Sequence, residues 1–282
     1  MQNGKDFVEG WEPVSDFSRE SSHCLVMRPG SEVLIPQGST TPSFWWTQEM
    51  APETSWSSYK IGTLGGKKVV LVTAPNNAAA PQGWEWVSMR VFFLQGEEAL
   101  VHLLGRAAVL TAWNDEGQFC GRCGAKMQVD ESEPARVCPQ CSLRQYPRLS
   151  PAVIMRITDG KKILLARNRR FPGGLYSSIA GFVDAGECAE DAVVREAMEE
   201  VGLEVGQVRY LGSQCWPFPH SLMLAFSAEA QGLPEPDGVE IVDAQWFDGA
   251  QLPELPKKGS ISRWMIDSWL EEQGFPLPHD SL

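Results

Sequence analysis

No run of about 18 consecutive apolar residues occurs in the chain, so no segment reads as a membrane-spanning helix. The opening residues, MQNGKDFVEGWEP, lack the basic-then-apolar pattern of a secretory leader, and a cytoplasmic protein with no membrane partner is the expectation. Positive charge is scarce: 24 Lys and Arg stand against 36 Asp and Glu, a net charge of −12. That balance argues against an open, sequence-independent grip on nucleic acid, which needs a basic surface to displace phosphate counterions. An acidic protein can still handle a small anionic substrate through a bound cation. Tandem repeats and a low-complexity tail are absent as well. What is present, 282 residues with 43% apolar and 21% charged, suits a globular protein long enough for two cores.

Carboxylates are concentrated in one stretch, Gly181 to Leu203, GFVDAGECAEDAVVREAMEEVGL. On a helical wheel Glu199 and Glu200 fall within about 60° and 40° of Glu196, on one face. Val194, Ala197, Met198 and Val201 cluster opposite and predict the buried stripe. Like charges so close repel unless a cation sits among them, and Arg195 can compensate one of them but not all. Hard oxygen ligands suit Mg²⁺ or Mn²⁺, which points to a metal site for phosphate chemistry. The plainer alternative is a solvated acidic helix face.

Of seven cysteines, Cys120, Cys123, Cys138 and Cys141 form C-x2-C-x14-C-x2-C. Four thiolates at this spacing can meet one Zn²⁺ tetrahedrally, and a site filled by four protein ligands has no open position for water, so it reads as structural. A redox pair fits less well, because neither Cys-x-x-Cys opens a helix after a strand. Cys24, Cys188 and Cys215 read as small packing residues.

Taken in order, residues 1 to about 95 alternate β-branched and aromatic residues between Gly, Pro and Asn turns, WEWVSMRVFF included, and predict short strands. Trp45, Trp46, Trp56, Trp84 and Trp86 read as core or interface residues. GEEALVHLLGRAAVLTAWNDEGQF predicts a helix that Gly105 weakens. After the cysteines, SPAVIMRITDGKKILLARNRRF predicts two strands about an Asp159-Gly160 turn. Gly202 is placed to end the acidic helix; Cys188 is a poor cap at its start, where Glu190 and Asp191 complement the positive end. SQCWPFPHS, Ser213 to Ser221, joins two strand-like segments, and its aromatic residues suit either gripping a planar ring or plugging a core. VEIVDAQWF predicts a further strand carrying Glu240 and Asp243, and SISRWMIDSWLEEQG a final helix capped by Ser260.

The acidic stretch resembles the Nudix box, G-x5-E-x7-R-E-U-x-E-E-x-G-U with U apolar: Gly181, Glu187, Arg195, Glu196, Ala197, Glu199, Glu200, Gly202 and Leu203 occupy its positions. With the four-cysteine ribbon before it, Tyr146 to Arg148 as YPR, and SQCWPFPHS after it, the chain from about Ala108 onward is similar to the NADH pyrophosphatase branch of that family. One departure stands out: Cys215 replaces the first proline of the family's SQPWPFP. The resemblance implies an α+β chain with an N-terminal β-rich domain ending in a helix (1–115), a zinc ribbon (116–147) and a Nudix α/β/α sandwich with a mixed sheet (148–282).

It further implies that Glu196, Glu199, Glu200, Glu240 and the carbonyl of Ala180 hold the catalytic Mg²⁺ or Mn²⁺, with Glu187 and Arg195 completing the catalytic set. Phe182 would stack on nicotinamide, facing Tyr146 or residues of a partner subunit. Gln214, Cys215, Trp216, Pro217, Phe218, Pro219, His220 and Ser221 would line the dinucleotide pocket, with Glu133, Arg90 and Ser262 touching substrate. The branch hydrolyses NAD(H) to nicotinamide mononucleotide and AMP, also removes NAD caps from RNA, and forms homodimers with the pocket across the interface. Glu196 or Glu200 is the expected base, and Arg195 is expected to orient Glu199 from one turn away. The rival expectations are a Nudix activity on ADP-ribose, dinucleoside polyphosphates or nucleoside triphosphates, and a zinc-ribbon RNA-binding module with a degenerate box.

Overall fold

In strands β2 (Ser22–Arg28) and β5 (Lys67–Thr73) nearly every central residue is buried, because each face of the sheet they belong to has its own apolar cover. The computed structural model describes residues 7–14, 22–39, 56–94, 98–171 and 173–278. These divide into one unit of residues 1–149 with 216–220 and a second of 150–215 with 221–282. In the first unit, β1 (Phe7–Pro13), β2, β3 (Glu32–Pro36), β4 (Ser57–Leu64), β5 and β6 (Trp84–Ser88) form a sheet in the order β1-β4-β5-β2-β3-β6. β2 and β5 run parallel, and the other neighbours are antiparallel. Leu25, Met27, Val69 and Leu71 point to one face, Cys24, Val26, Val70 and Val72 to the other, as a period of two requires. Trp56, Trp84 and Trp86 pack on the second face, in the core role expected of them; Trp45 and Trp46 lie outside the described residues.

The strand expected through WEWVSMRVFF stops at Ser88. Met89, Phe92 and Phe93 are buried together in the first-face core, a spacing of three and four that a helical turn provides, and α1 (Arg90–Phe93) forms instead. α2 (Glu98–Glu116) runs unbroken through Gly105, since Leu103, Leu104, Ala107, Ala108 and Trp113 are all held against the sheet. Tertiary burial outweighs the roughly 1 kcal/mol cost of a helical glycine. Then come the short strands β7 (Gln128–Val129), β8 (Arg136–Val137) and β9 (Arg144–Gln145) of the cysteine ribbon. They are tied to α2: the Trp113 indole donates to Gln145 O at 3.2 Å, and buried Arg136 donates to Asn114 Oδ1 at 2.8 Å.

The second unit holds β10 (Ser150–Asp159), β11 (Lys162–Asn168), β12 (Ile179–Phe182), α3 (Ala189–Val201), β13 (Gly206–Trp216), β14 (Ser221–Glu229), β15 (Ile241–Asp248) and α4 (Ile261–Gln273). Its mixed sheet has the order β13-β14-β10-β11-β15, with β12 also paired to β10. The turn between β10 and β11 falls within the expected segment, at Gly160-Lys161, where Asp159 pairs with Lys162 and Gly160 takes φ 58°. Odd residues of β10 (Val153, Met155, Ile157) share a core with Ala192, Val193, Ala197 and Val201 of α3; Ile154 joins Ile261 and Met265 of α4 on the opposite face. A helix thus covers each side of the sheet, the predicted α/β/α layering. Ser260 caps α4 by accepting from Arg263 N, and Gly202 closes α3 at φ 66°.

The buried face of α3 differs from the one the helical wheel predicts. Val194 and Met198 are each 43% exposed, and the buried arc of α3 is Ala192, Val193, Ala197, Glu200 and Val201. Two alanines let the helix lie close to the sheet, which rotates the contact toward them and carries Glu200 inward.

Candidate active site and metal centres

β12 delivers Gly181 to the edge of α3, and the absence of a side chain there is what admits Glu196. A β-carbon on Gly181 would lie 1.9 Å from the Glu196 carboxyl carbon. The chain then turns through residues 183–188, and Cys188 begins α3 without a side-chain cap, as expected; its thiol donates to Asp191 Oδ2 at 2.8 Å.

Arg195 organises the carboxylates. Its Nε and Nη2 grip Glu187 at 2.8 and 2.9 Å, Nη1 donates to Glu196 at 2.8 Å and Glu199 at 3.0 Å, and Nη2 also reaches Phe182 O at 2.9 Å. The expected pairing with Glu199 is therefore one of three, and its main tie is to Glu187 in the preceding loop. The flat guanidinium, with five donors, can serve several oxygens at once. Glu187 also accepts from Asp184 N at 3.0 Å, and Arg195 first, then that N–H, hold its carboxyl down to about 2. A permanently charged Glu187 anchors the loop to the helix.

Glu200 is different. It is 6% exposed, and its Oε2 is buried with no hydrogen-bond partner among the described residues. Burial, then the nearby charges of Glu196, Glu240, Asp237 and Glu199, push its carboxyl up to about 8. Burial also raises Glu196, against the pull of Arg195. Glu240 lies just before β15, in a turn rather than in the strand expected for it, and accepts from Asn168 Nδ2 at 3.0 Å. Asp237 shapes that turn by accepting from the backbone N–H of Val239, Glu240 and Ile241. Neither Asp237 nor Asn168 stands out from spacing alone, although the Asp237-Gly238 dipeptide is a turn signal. The orphaned buried oxygen of Glu200 is a hard donor of the kind a divalent cation takes, although among the described residues no three of these carboxylates draw their oxygens within 4.8 Å of one another. Ala180, half-buried, is paired with Ile154 of β10, and Phe182 is 55% exposed.

Other expected substrate residues fall into two groups. In the first unit Glu133 Oε1 accepts from Arg144 Nη1 at 2.6 Å and from the Tyr146 hydroxyl at 3.1 Å, so the ribbon brings Glu133 and Tyr146 together. Trp216 and Phe218 stand edge-on to Phe93, centroids 5.9 and 5.5 Å away, and Ser31 Oγ donates to Pro217 O at 2.9 Å. Both rings are partly buried against the first-face core, and Arg90 lies 4.4 Å over Phe218. His220 and Tyr146 open on one cavity of about 270 Å³ with Trp113, Glu116 and Arg148. Pro219 follows Phe218 through a cis peptide bond.

In the second unit Gln214 spends both ends of its amide on Ile261 N (2.8 Å) and Gly259 O (2.7 Å). Burial raises the Cys215 thiol to about 11. Ser221 is buried, and Ser262, 5% exposed, shares its hydroxyl with Ser177 Oγ at 2.8 Å and Ser178 N at 3.1 Å.

The four ribbon cysteines place their sulfurs within 4.8 Å of one another, with Sγ···Sγ separations of 3.4, 3.6 and 3.7 Å. Zn–S bonds of about 2.3 Å in a tetrahedron require edges of about 3.8 Å, whereas a disulfide needs about 2.05 Å. The set fits zinc. Among the described residues no helix is long and apolar enough to cross a membrane.

Comparison with known proteins follows the same division. Residues 148–269 match the NUDIX domain, 116–146 the NADH pyrophosphatase zinc ribbon domain, and 21–113 the NADH pyrophosphatase-like rudimentary NUDIX domain. The chain is 41% identical over 267 residues to the NAD-capped RNA hydrolase NudC of Pseudomonas fluorescens, covering 93% of this chain and 95% of that one. It is 43% identical over 267 residues to the protein of that name in Pseudomonas syringae pv. syringae (94% and 95% covered). With the one in Pseudomonas aeruginosa it shares 44% over 234 residues (83% and 83%).

Proposed function

Because the chain belongs to the Nudix family, in its NADH pyrophosphatase branch, we propose that it hydrolyses the pyrophosphate bond of NAD(H) to nicotinamide mononucleotide and AMP, and removes NAD caps from RNA. The observation that carries the site is Glu200, buried with an unpartnered oxygen beside Glu196 and Glu240. Glu196, Glu199, Glu200, Glu240 and the Ala180 carbonyl would hold Mg²⁺ or Mn²⁺, which supplies charge neutralisation for the diphosphate and a more acidic attacking water.

This chain's own residues do the rest. Glu187 and Arg195 fix the loop and the helix in one geometry, so the carboxylates are positioned before substrate arrives. Glu196 or Glu200 takes the water's proton; burial raises both carboxyls above the ordinary glutamate value. Phe182, exposed at the end of β12, supplies a ring face for nicotinamide. Tyr146, Glu133, Arg90, His220 and the rest of residues 214–221 are assigned to the dinucleotide on the resemblance, as is Ser262. Its closed hydroxyl pairing supports a backbone rather than a side-chain contact for Ser262. The same reading makes the protein a cytoplasmic homodimer of three parts, 1–115, 116–147 and 148–282. The exposed Tyr146, Leu149 and Phe182 are side chains that a second copy would cover.

The test is Glu200→Gln. It should fold and bind NADH while turnover falls by orders of magnitude, and near wild-type turnover would overturn the assignment. Wild-type rates on NADH, NAD⁺, NAD-capped RNA, ADP-ribose and diadenosine polyphosphates, compared at equal concentration, check the substrate. Faster cleavage of the last two would transfer the protein to another Nudix activity.

A further inference from the structure

Ala152, Ile154, Arg156 and Thr158 form one side of β10, the side that α4 covers. An arginine in that row is unexpected, because a buried charge is costly unless it is fully partnered. Arg156 is 9% exposed, yet among the described residues its one hydrogen bond is from Nη1 to Glu272 Oε1 at 3.0 Å, and that glutamate side chain is 54% exposed. The Arg156 Nε–H is buried with no acceptor. Trp269, 1% exposed, likewise buries an indole N–H without a partner.

Both residues line one open polar recess of about 270 Å³, to which Thr158, Ser227 and Arg209 contribute. Ser227 sits beside Arg156 in the parallel register of β10 and β14. Arg209 is exposed and has no carboxylate partner among the described residues. Glu229 and Glu272 are also on the recess, but both are exposed, where solvent screens them more than it screens the buried donors. Two orphaned donors, the Ser227 hydroxyl and two guanidinium groups, one of them uncommitted, ask for a ligand rich in acceptor oxygens, while the Thr158 hydroxyl already donates to Ala228 O at 3.5 Å. Guanidinium forks match phosphate and carboxylate geometry in particular.

We propose that this recess is a second anion site, taking a small oxyanion such as phosphate or the phosphate of a mononucleotide on the α4 face of the sheet. It is separate from the carboxylates of α3, which lie on the opposite face, and it does not depend on the activity proposed above.

The test reads the indole N–H of Trp269 by NMR in the full chain without added magnesium or manganese, its signal identified by its loss in Trp269→Phe. Inorganic phosphate, AMP and acetate are titrated separately. A saturable shift with phosphate and AMP is expected, with acetate weaker, and Arg209→Ala should weaken binding about tenfold, the effect of losing one charge-assisted hydrogen bond. Arg156→Gln should weaken it further; if that variant fails to fold, the exposed Arg209 variant still decides. An indole signal unmoved by all three anions at millimolar concentration, or one that moves identically in wild type and Arg209→Ala, would overturn the site. Either result leaves the hydrolytic assignment standing, because no turnover is read.

Discussion

At Gly181 a single missing atom sets the position of a carboxylate. With the Glu196 carboxyl carbon 1.9 Å from where a β-carbon would stand, Gly181→Ala must displace either β12 or Glu196. The longer side chain is the softer of the two. Gly181→Ala is therefore expected to keep its circular dichroism and lose about a hundredfold in turnover, the scale of a 1 Å misplacement at a reacting centre. Glu200 gives a second prediction, on stability. Its folded value of about 8 lies above its ordinary 4.5, so folding favours the neutral form. The stabilising contribution is complete below about pH 4.5 and is lost as pH rises through about 8. Without added magnesium or manganese, urea unfolding should show Glu200→Gln overtaking wild type by a few kcal/mol near pH 9, and matching it near pH 5. An unchanging gap would contradict the burial argument. The identities of these residues were legible in the sequence. Their depths were not, because the wheel gives angles about an axis and not which arc meets the sheet. Nor did spacing show that Arg195 reaches back eight residues to Glu187, since that contact depends on how the intervening loop turns.

At the scale of elements, periodicity worked where one face is buried against one partner, as in α2 and β10, and failed where packing chose between equals. RVFF has strand composition, but burial of Met89, Phe92 and Phe93 together selects a helical turn. The ribbon shows the opposite balance. Its core is Cys120, Met127 and Cys138 with Ala125, Cys141 and Leu143, too small to hold three two-residue strands by apolar burial alone. Metal binding then carries the folding free energy of the element. Removing zinc with a chelator should abolish amide-exchange protection in β7, β8 and β9 while β10 and β14 keep theirs. Retained protection in the zinc-free ribbon would show that the ribbon's ties to α2 suffice.

For the whole molecule, the sequence announced the order of parts and the chemistry of the box, ribbon and loop. It could not announce that residues 216–220, which link two strands of the second unit, belong to the first. That follows from Trp216 and Phe218 meeting Phe93, a contact across more than a hundred residues of chain. A fragment starting at Ser150 should accordingly bind a hydrophobic dye and self-associate, since it carries both rings without Phe93. Sedimentation as a dye-free monomer would contradict this. The consequence reaches into ancestry. A gene rearrangement that joined the box-bearing half to a new neighbour would strand these aromatics in solvent, and one that shed it would leave a hole beside Phe93. The loop and its partner Phe93 are therefore expected to be kept or lost together.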